Sequence, residues 1–133
     1  MVETQTQTIV DKFIQFLTQR DLINLVAMFS DNVDWYIPGD QRRAPWLGVR
    51  TSRPEVKEFY EMLWKNTEPV AARIENILIH KNIAIIAGEF STKMLATGKT
   101  VSSLFFIHIT VENHLIVRYR LLEDSYAVSV ALT

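Results

Sequence analysis

Phe29-Ser30-Asp31-Asn32-Val33-Asp34-Trp35-Tyr36-Ile37-Pro38-Gly39 is the stretch at which this chain changes from helical to extended. The residues before it carry apolar side chains at helical spacing. From about residue 32 to 37 the pattern is that of a short strand, with Trp35 and Asp34 on opposite faces. Pro38-Gly39 then breaks the strand, because proline has no amide to give a ladder.

Toward the N-terminus, Ile9, Val10, Phe13, Ile14 and Leu17 recur at helical spacing with Asp11, Lys12 and Gln15 between them, which predicts a helix over roughly 4–20. Asp21 then caps a short second helix carrying Leu22, Leu25, Val26 and Phe29. Toward the C-terminus, an irregular stretch from Pro38 to Thr51 holds Pro45 and Gly48. Ser52-Arg53-Pro54-Glu55 starts a third helix: the Ser52 hydroxyl accepts from the Glu55 amide, Glu55 reaches back, and Pro54 suits the first turn. That helix buries Val56, Phe59, Tyr60, Leu63 and Trp64 and leaves Lys57, Glu58, Glu61 and Lys65 in water.

After Pro69, runs near 70–80, 83–95, 100–112 and 115–124 are rich in Ile, Val, Phe and Thr. Lys81-Asn82, Ala96-Thr97-Gly98-Lys99 and Glu112-Asn113-His114 separate them, each short enough for a hairpin. Helices followed by long sequential antiparallel strands predict an α+β fold with helices packed on one face of a curved sheet.

At 133 residues, the chain reads as one domain over 1–133 with a sizeable core. A hydrophobic share of 48% beside 22% charged residues argues against disorder, and a net charge of −1 with interspersed signs gives no footprint for nucleic acid or an anionic membrane. The absence of cysteine excludes disulfides, thiolate zinc sites and cysteine nucleophiles. The first residues are polar, and no apolar run approaches the roughly 18 residues of a spanning helix, so a cytoplasmic, soluble protein is the expectation.

Ile9 to Phe13 leading to Arg20-Asp21-Leu22, the Phe29 to Trp35 run, Pro38-Gly39, Trp46-Leu47-Gly48, the third helix and the closing Ile116 to Asp124 together resemble the nuclear-transport-factor-2-like superfamily, in its SnoaL-like and ketosteroid-isomerase-like branch. The resemblance covers essentially the whole chain through a pattern of elements. It implies a cone-shaped, cystatin-like α+β barrel, with three N-terminal helices and a mostly antiparallel sheet enclosing a pocket, and a convex sheet face that pairs two subunits. Members include isomerases, polyketide cyclases, epoxide hydrolases, dehydratases and non-enzymatic binding domains, so the fold does not select among them. The isomerase chemistry does not carry over. The resemblance puts Ile37 where that branch has its carboxylate base, Phe13 where it has a phenol on helix 1, and Phe105 at its protonated acid. An aliphatic side chain abstracts no proton, and phenylalanine has no O–H for an enolate.

Arg118, Arg120 and Asp124 share one face of the closing strand, and Val117, Tyr119 and Leu121 share the other. Read from the residues alone, the apolar face packs on the core and the arginines are solvated. The resemblance implies the reverse: the even positions line the cavity and the apolar odd face meets a second subunit. Asp124 is then the general acid/base candidate, with Arg118 or Arg120 holding a ligand oxygen or neutralising it; a structural ion pair is the competing reading. Phe13, Trp35, Ile37, Trp46, Tyr60, Phe90, Met94, Phe105 and Ile107 are expected as pocket walls, against the reading of ordinary core residues.

Asp40, Arg42 and Arg43 read as a solvated loop rather than a pocket rim. His80, His108 and His114 lack metal-ligand spacing, with His108 on the subunit-contact face, and no nucleophile context or phosphate-cradling glycine loop occurs. Two function classes stand: a cofactor-free isomerase, cyclase or dehydratase acting on a small carbonyl- or carboxylate-bearing molecule, or a non-catalytic ligand-binding or protein-association module. The expected partners are a small hydrophobic or amphipathic molecule and a second copy of the chain, with neither nucleic acid nor membrane.

Overall fold

A computed structural model describes Met1 to Thr133. Its elements are α1 (Val2–Gln19), α2 (Leu22–Ala27), β1 (Phe29–Ile37), β2 (Gly48–Arg50), α3 (Arg53–Asn66), β3 (Thr67–His80), β4 (Ile83–Met94), β5 (Thr100–Glu112), β6 (Leu115–Glu123) and α4 (Ser125–Ala131).

The starts of the helices follow the local chemistry of the sequence. Asp21 Oδ1 accepts from the Asn24 amide at 3.3 Å and opens α2. Ser52 Oγ accepts from the Glu55 amide at 3.3 Å and opens α3. The Glu55 carboxylate reaches back one residue further than the capping box requires: it accepts from the Thr51 amide at 2.7 Å and the Thr51 hydroxyl at 3.1 Å. Those hydrogen bonds hold its carboxyl below the usual glutamate range. α1 ends where Arg20 turns to φ 53° and ψ 40°. There the Arg20 amide donates to Leu17 O and the Asp21 amide to Phe16 O, which closes the helix in a Schellman pattern.

The six strands form one curved, open sheet in the order β2-β1-β6-β5-β4-β3. Only the β1–β6 pair is parallel; the rest are antiparallel. The β5–β6 hairpin turns through Asn113 and His114, both at positive φ, as a two-residue turn between right-twisted strands requires. Register shifts interrupt β3–β4 between Pro69 and Ala71 and again between Ile74 and Asn76. Such bulges add local twist and bend the strand. Helices α1 and α3 pack on the sheet and bury Ile9, Val10 and Phe13 from the first and Val56, Phe59 and Tyr60 from the second.

Three boundaries differ from the sequence reading. Phe29 opens β1 instead of closing α2, and its buried ring packs 5.5 Å from that of Trp35 and 5.9 Å from that of Tyr119. The irregular stretch contains the three-residue strand β2, which pairs with β1 from Trp35 to Ile37. A fourth helix follows β6, capped by Asp124, whose Oδ1 accepts from the Ala127 amide at 2.9 Å. No helix is long and apolar enough to cross a membrane.

Candidate functional site

The concave face of the sheet and helices α1 and α3 enclose a cavity of about 430 Å³. Phe13 of α1, Ile37 at the end of β1, Trp46 in the following loop, Tyr60 of α3, Phe90 and Met94 of β4, and Phe105 and Ile107 of β5 all line it. Trp35 does not. It is fully buried behind the wall, stacked on Tyr119. Further wall residues come from positions that sequence reasoning left aside: Leu17 of α1 and Arg20 just after it, Leu63 and Trp64 of α3, and Tyr119, Leu121 and Glu123 of β6.

Those last three overturn the expected facing of the closing strand. Odd-numbered Tyr119, Leu121 and Glu123 face the cavity, while Arg118, Arg120 and Asp124 are absent from its wall. A register shift between Thr110 and Val111 sets this phase: Val111 pairs with Ile116 but Thr110 with Arg118, so Ile116 and Tyr119 are both buried. Arg120 instead donates to Asp34 on the outer face, from Nη2 to the carboxylate at 2.9 Å and from Nη1 to the backbone carbonyl at 2.8 Å. Arg118 Nε lies 3.8 Å from the same carboxylate. Asp124 is exposed and serves as the α4 cap. The expectation that Tyr119 and Leu121 form the outer face is corrected with it; that face carries Leu104, Phe106 and Leu122, each about half exposed.

Glu123 is the one carboxylate in the cavity wall. It is half-buried, forms neither a hydrogen bond nor an ion pair, and sits opposite Phe105 in the sheet register. Burial without a compensating partner pushes its carboxyl up to about 7. Two phenols share the wall. Burial holds both well above the ordinary tyrosine range, so both stay protonated, and the nearby Glu123 raises Tyr119 further. The Tyr60 hydroxyl is buried without a hydrogen-bond partner, with Tyr119 close enough to influence it. The signal for Glu123 was present in the sequence: Tyr119, Leu121 and Glu123 alternate along one face, and the last of them is an acid.

Asp40, Arg43 and His108 lie outside the cavity wall. Asp40 accepts from the Arg42 amide at 3.0 Å, and this hydrogen bond holds its carboxyl below the usual range. Arg43 donates to Thr133 Oγ1 at 2.7 Å, which ties the loop to the segment after α4. His108 lies half-buried with Nε2 unpartnered, and burial together with Arg118 and Arg120 lowers its pKa. No three His, Asp or Glu side chains converge in the way a metal ion requires. An open groove of about 510 Å³ crosses strands β3 to β5, but its Arg73–Glu89 ion pair and Ser91–Ser102 hydroxyl pair, both at 2.7 Å, satisfy one another.

Comparison with known proteins places this geometry. No curated protein matches the chain. Among solved structures, an NTF2-like protein from Burkholderia xenovorans superposes with a TM-score of 0.89 at 18% identity, covering 100% of this chain and 99% of that one. TerC, co-crystallised with polyporic acid, superposes at 0.80 with 13% identity over 96% of this chain and 98% of its own. An LEH-like epoxide hydrolase from M. tuberculosis gives 0.74 at 13% identity over 98% and 90%. At such identities these likenesses speak for the fold alone. The SnoaL-like domain model matches residues 10–119, from the middle of α1 to the Tyr119 that stacks on Trp35. The chain belongs to the SnoaL-like domain family, and its fold is the one that NTF2-like proteins share.

Proposed function

We propose that the cavity binds a small, largely apolar molecule bearing a carbonyl or carboxylate group, and that Glu123 exchanges a proton with it without a cofactor. One observation carries this reading: a carboxyl without any partner stands in a wall that is otherwise mostly hydrophobic. Leaving a polar group half-buried and unpaired is unfavourable, and a ligand that hydrogen-bonds to it removes that cost. A carboxyl held near 7 is also matched to proton transfer at neutral pH, since both protonation states are populated. Protonated, it donates to a ligand carbonyl; ionised, it accepts a proton from the carbon beside one. Isomerisation, cyclisation and dehydration all use these elements.

This reading moves the acid/base role from Asp124 to its neighbour. Asp124, Arg118 and Arg120 keep a structural part, capping α4 and pairing with Asp34. The test is binding and turnover across a panel of cyclic ketones, quinones and aromatic acids, with wild type and Glu123→Gln compared. A substrate turned over equally well by both proteins would sink the proton-transfer role. Ligands that bind with no chemical change in either would leave a binding module.

A homodimer through the outer sheet face is part of the same proposal, supported by Leu104, Phe106 and Leu122 at 58%, 49% and 52% exposure. Light scattering on wild type and Phe106→Glu tests it; a wild-type monomer ends it.

A further inference from the structure

Seven of the eight arginines in this chain pair with a carboxylate, and Arg20 is the exception. Its guanidinium lies over the Trp64 ring, 5.4 Å from the centroid, and both side chains belong to the cavity wall. Arg20 is exposed and Trp64 half-buried, so the pair stands where the wall meets solvent. The backbone there is left-handed, at φ 53°, where glycine is the unstrained choice. The other non-glycine residues at positive φ, Lys81, Asn113 and His114, sit in hairpin turns and line no part of the cavity. A strained arginine without a counter-ion at the lip of an apolar cavity is the kind of outlier that points to function.

Apart from the two phenols, Arg20 and Glu123 are the ionisable side chains in the wall, and they do not pair with one another. An anionic group on a ligand is repelled by the carboxylate and attracted by the guanidinium, so together they give the cavity a direction. We infer that Arg20, backed by Trp64, is the anion-recognising residue at the cavity mouth and that the ligand is an amphipathic organic acid. Its apolar, ring-sized body lies inside the cavity, and its carboxylate or equivalent monoanion is held at Arg20. The inference rests on the cavity being a ligand site. It adds the charge of the ligand, its orientation and the residue that selects it.

A purely structural role makes a different prediction. A cation at the C-terminal end of α1 is favourable in itself, as is its stacking on an indole. That role affects stability and does not discriminate ligand charge.

Two fluorescent probes separate the cases: N-phenyl-1-naphthylamine, which is neutral, and 8-anilino-1-naphthalenesulfonate, the same skeleton with one sulfonate. Both are titrated at low ionic strength into wild type, Arg20→Gln, Arg20→Gly and Arg20→Lys. The expected result is a loss of at least tenfold in sulfonate affinity for the Gln and Gly variants, with the neutral probe unchanged within twofold and partial rescue by Lys. The Gly variant, relieved of the left-handed strain, should melt at or above the wild-type temperature. Equal losses for both probes, or sulfonate binding indifferent to Arg20, overturn the inference while leaving the cavity reading intact. If the neutral probe does not bind wild type, the cavity reading falls and this inference falls with it.

Discussion

The indole of Trp35 and the ring of Tyr119 stack with centroids 4.2 Å apart and planes 20° from parallel. They are register partners across the parallel β1–β6 pair. Tyr119 faces the cavity from this stack while Trp35 carries no exposed surface, so the stack is the rigid backing of the site. Phe29 and Phe59 close around it, with centroids 5.5 and 4.9 Å from Trp35. Trp35→Ala should therefore cost about 3–5 kcal/mol in chemical denaturation, the range for deleting a large buried aromatic. Trp35→Phe should cost markedly less, because it keeps a ring and removes an indole N–H that is buried without a partner. Equal losses for the two variants would contradict this packing.

Glu123 gives stability a pH dependence whose sign can be worked out. Below the ordinary glutamate value of 4.5 the group is protonated whether the chain is folded or not, and contributes nothing. Between 4.5 and about 7 the unfolded chain releases the proton while the folded one keeps it, so stability falls as pH rises. Above about 7 the full penalty remains, on the order of 3 kcal/mol before solvent in the cavity reduces it. Glu123→Gln should flatten this part of the profile and exceed wild type in stability at pH 8 relative to pH 5. Parallel profiles for the two proteins would show that Glu123 is not buried as described.

Asp124→Asn should leave both stability and probe binding close to wild type, since asparagine caps a helix about as well. Asp124→Ala should cost about 1 kcal/mol through the lost hydrogen bond to the Ala127 amide, again without affecting the cavity. A large binding defect in the Asn variant would return this residue to the site.

Gly88 lies on the cavity side of β4. A Cβ there would collide with the backbone carbonyl of Arg73 and come within 2.8 Å of the Phe105 ring. The carbonyl belongs to a neighbouring strand and cannot swing away as a side chain does. Gly88→Ala should destabilise by about 1–3 kcal/mol, the usual cost of overpacking. A melting temperature unchanged from wild type would show that β3 yields there.

Where a local signal was strong, the sequence was a reliable guide. Ser52, Pro54 and Glu55 announced α3, and Asp21 announced α2, because capping is decided within four residues. The elements predicted from sequence end at about residue 124, short of α4, because Tyr126, Val128 and Val130 lack a clear helical period and only the Asp124 cap marks its start. The facing of β6 shows a different limit. Its alternation of charged and apolar residues, taken alone, put Tyr119 and Leu121 inward, as the structure has them. Family likeness reversed that, since an offset of one residue exchanges every side chain between the two faces. Arg20 was legible only as part of a pattern. That it lacks a carboxylate partner follows from where the other carboxylates end up, which no local window contains.

The parallel pairing of β1 with β6 has a consequence in time. Asp34 meets Arg118 and Tyr36 meets Arg120, so the middle of the sheet joins segments from opposite ends of the element order. The early strand has its small antiparallel partner β2 at hand but must wait for its larger neighbour until three long strands have been laid down. Closing so long a loop is entropically costly, and chains dominated by such contacts fold in milliseconds to seconds rather than microseconds. During synthesis, then, the β1 edge and the face of Trp35 that Tyr119 covers stay open until β6 has left the ribosome, and the cavity wall is complete only when that strand docks.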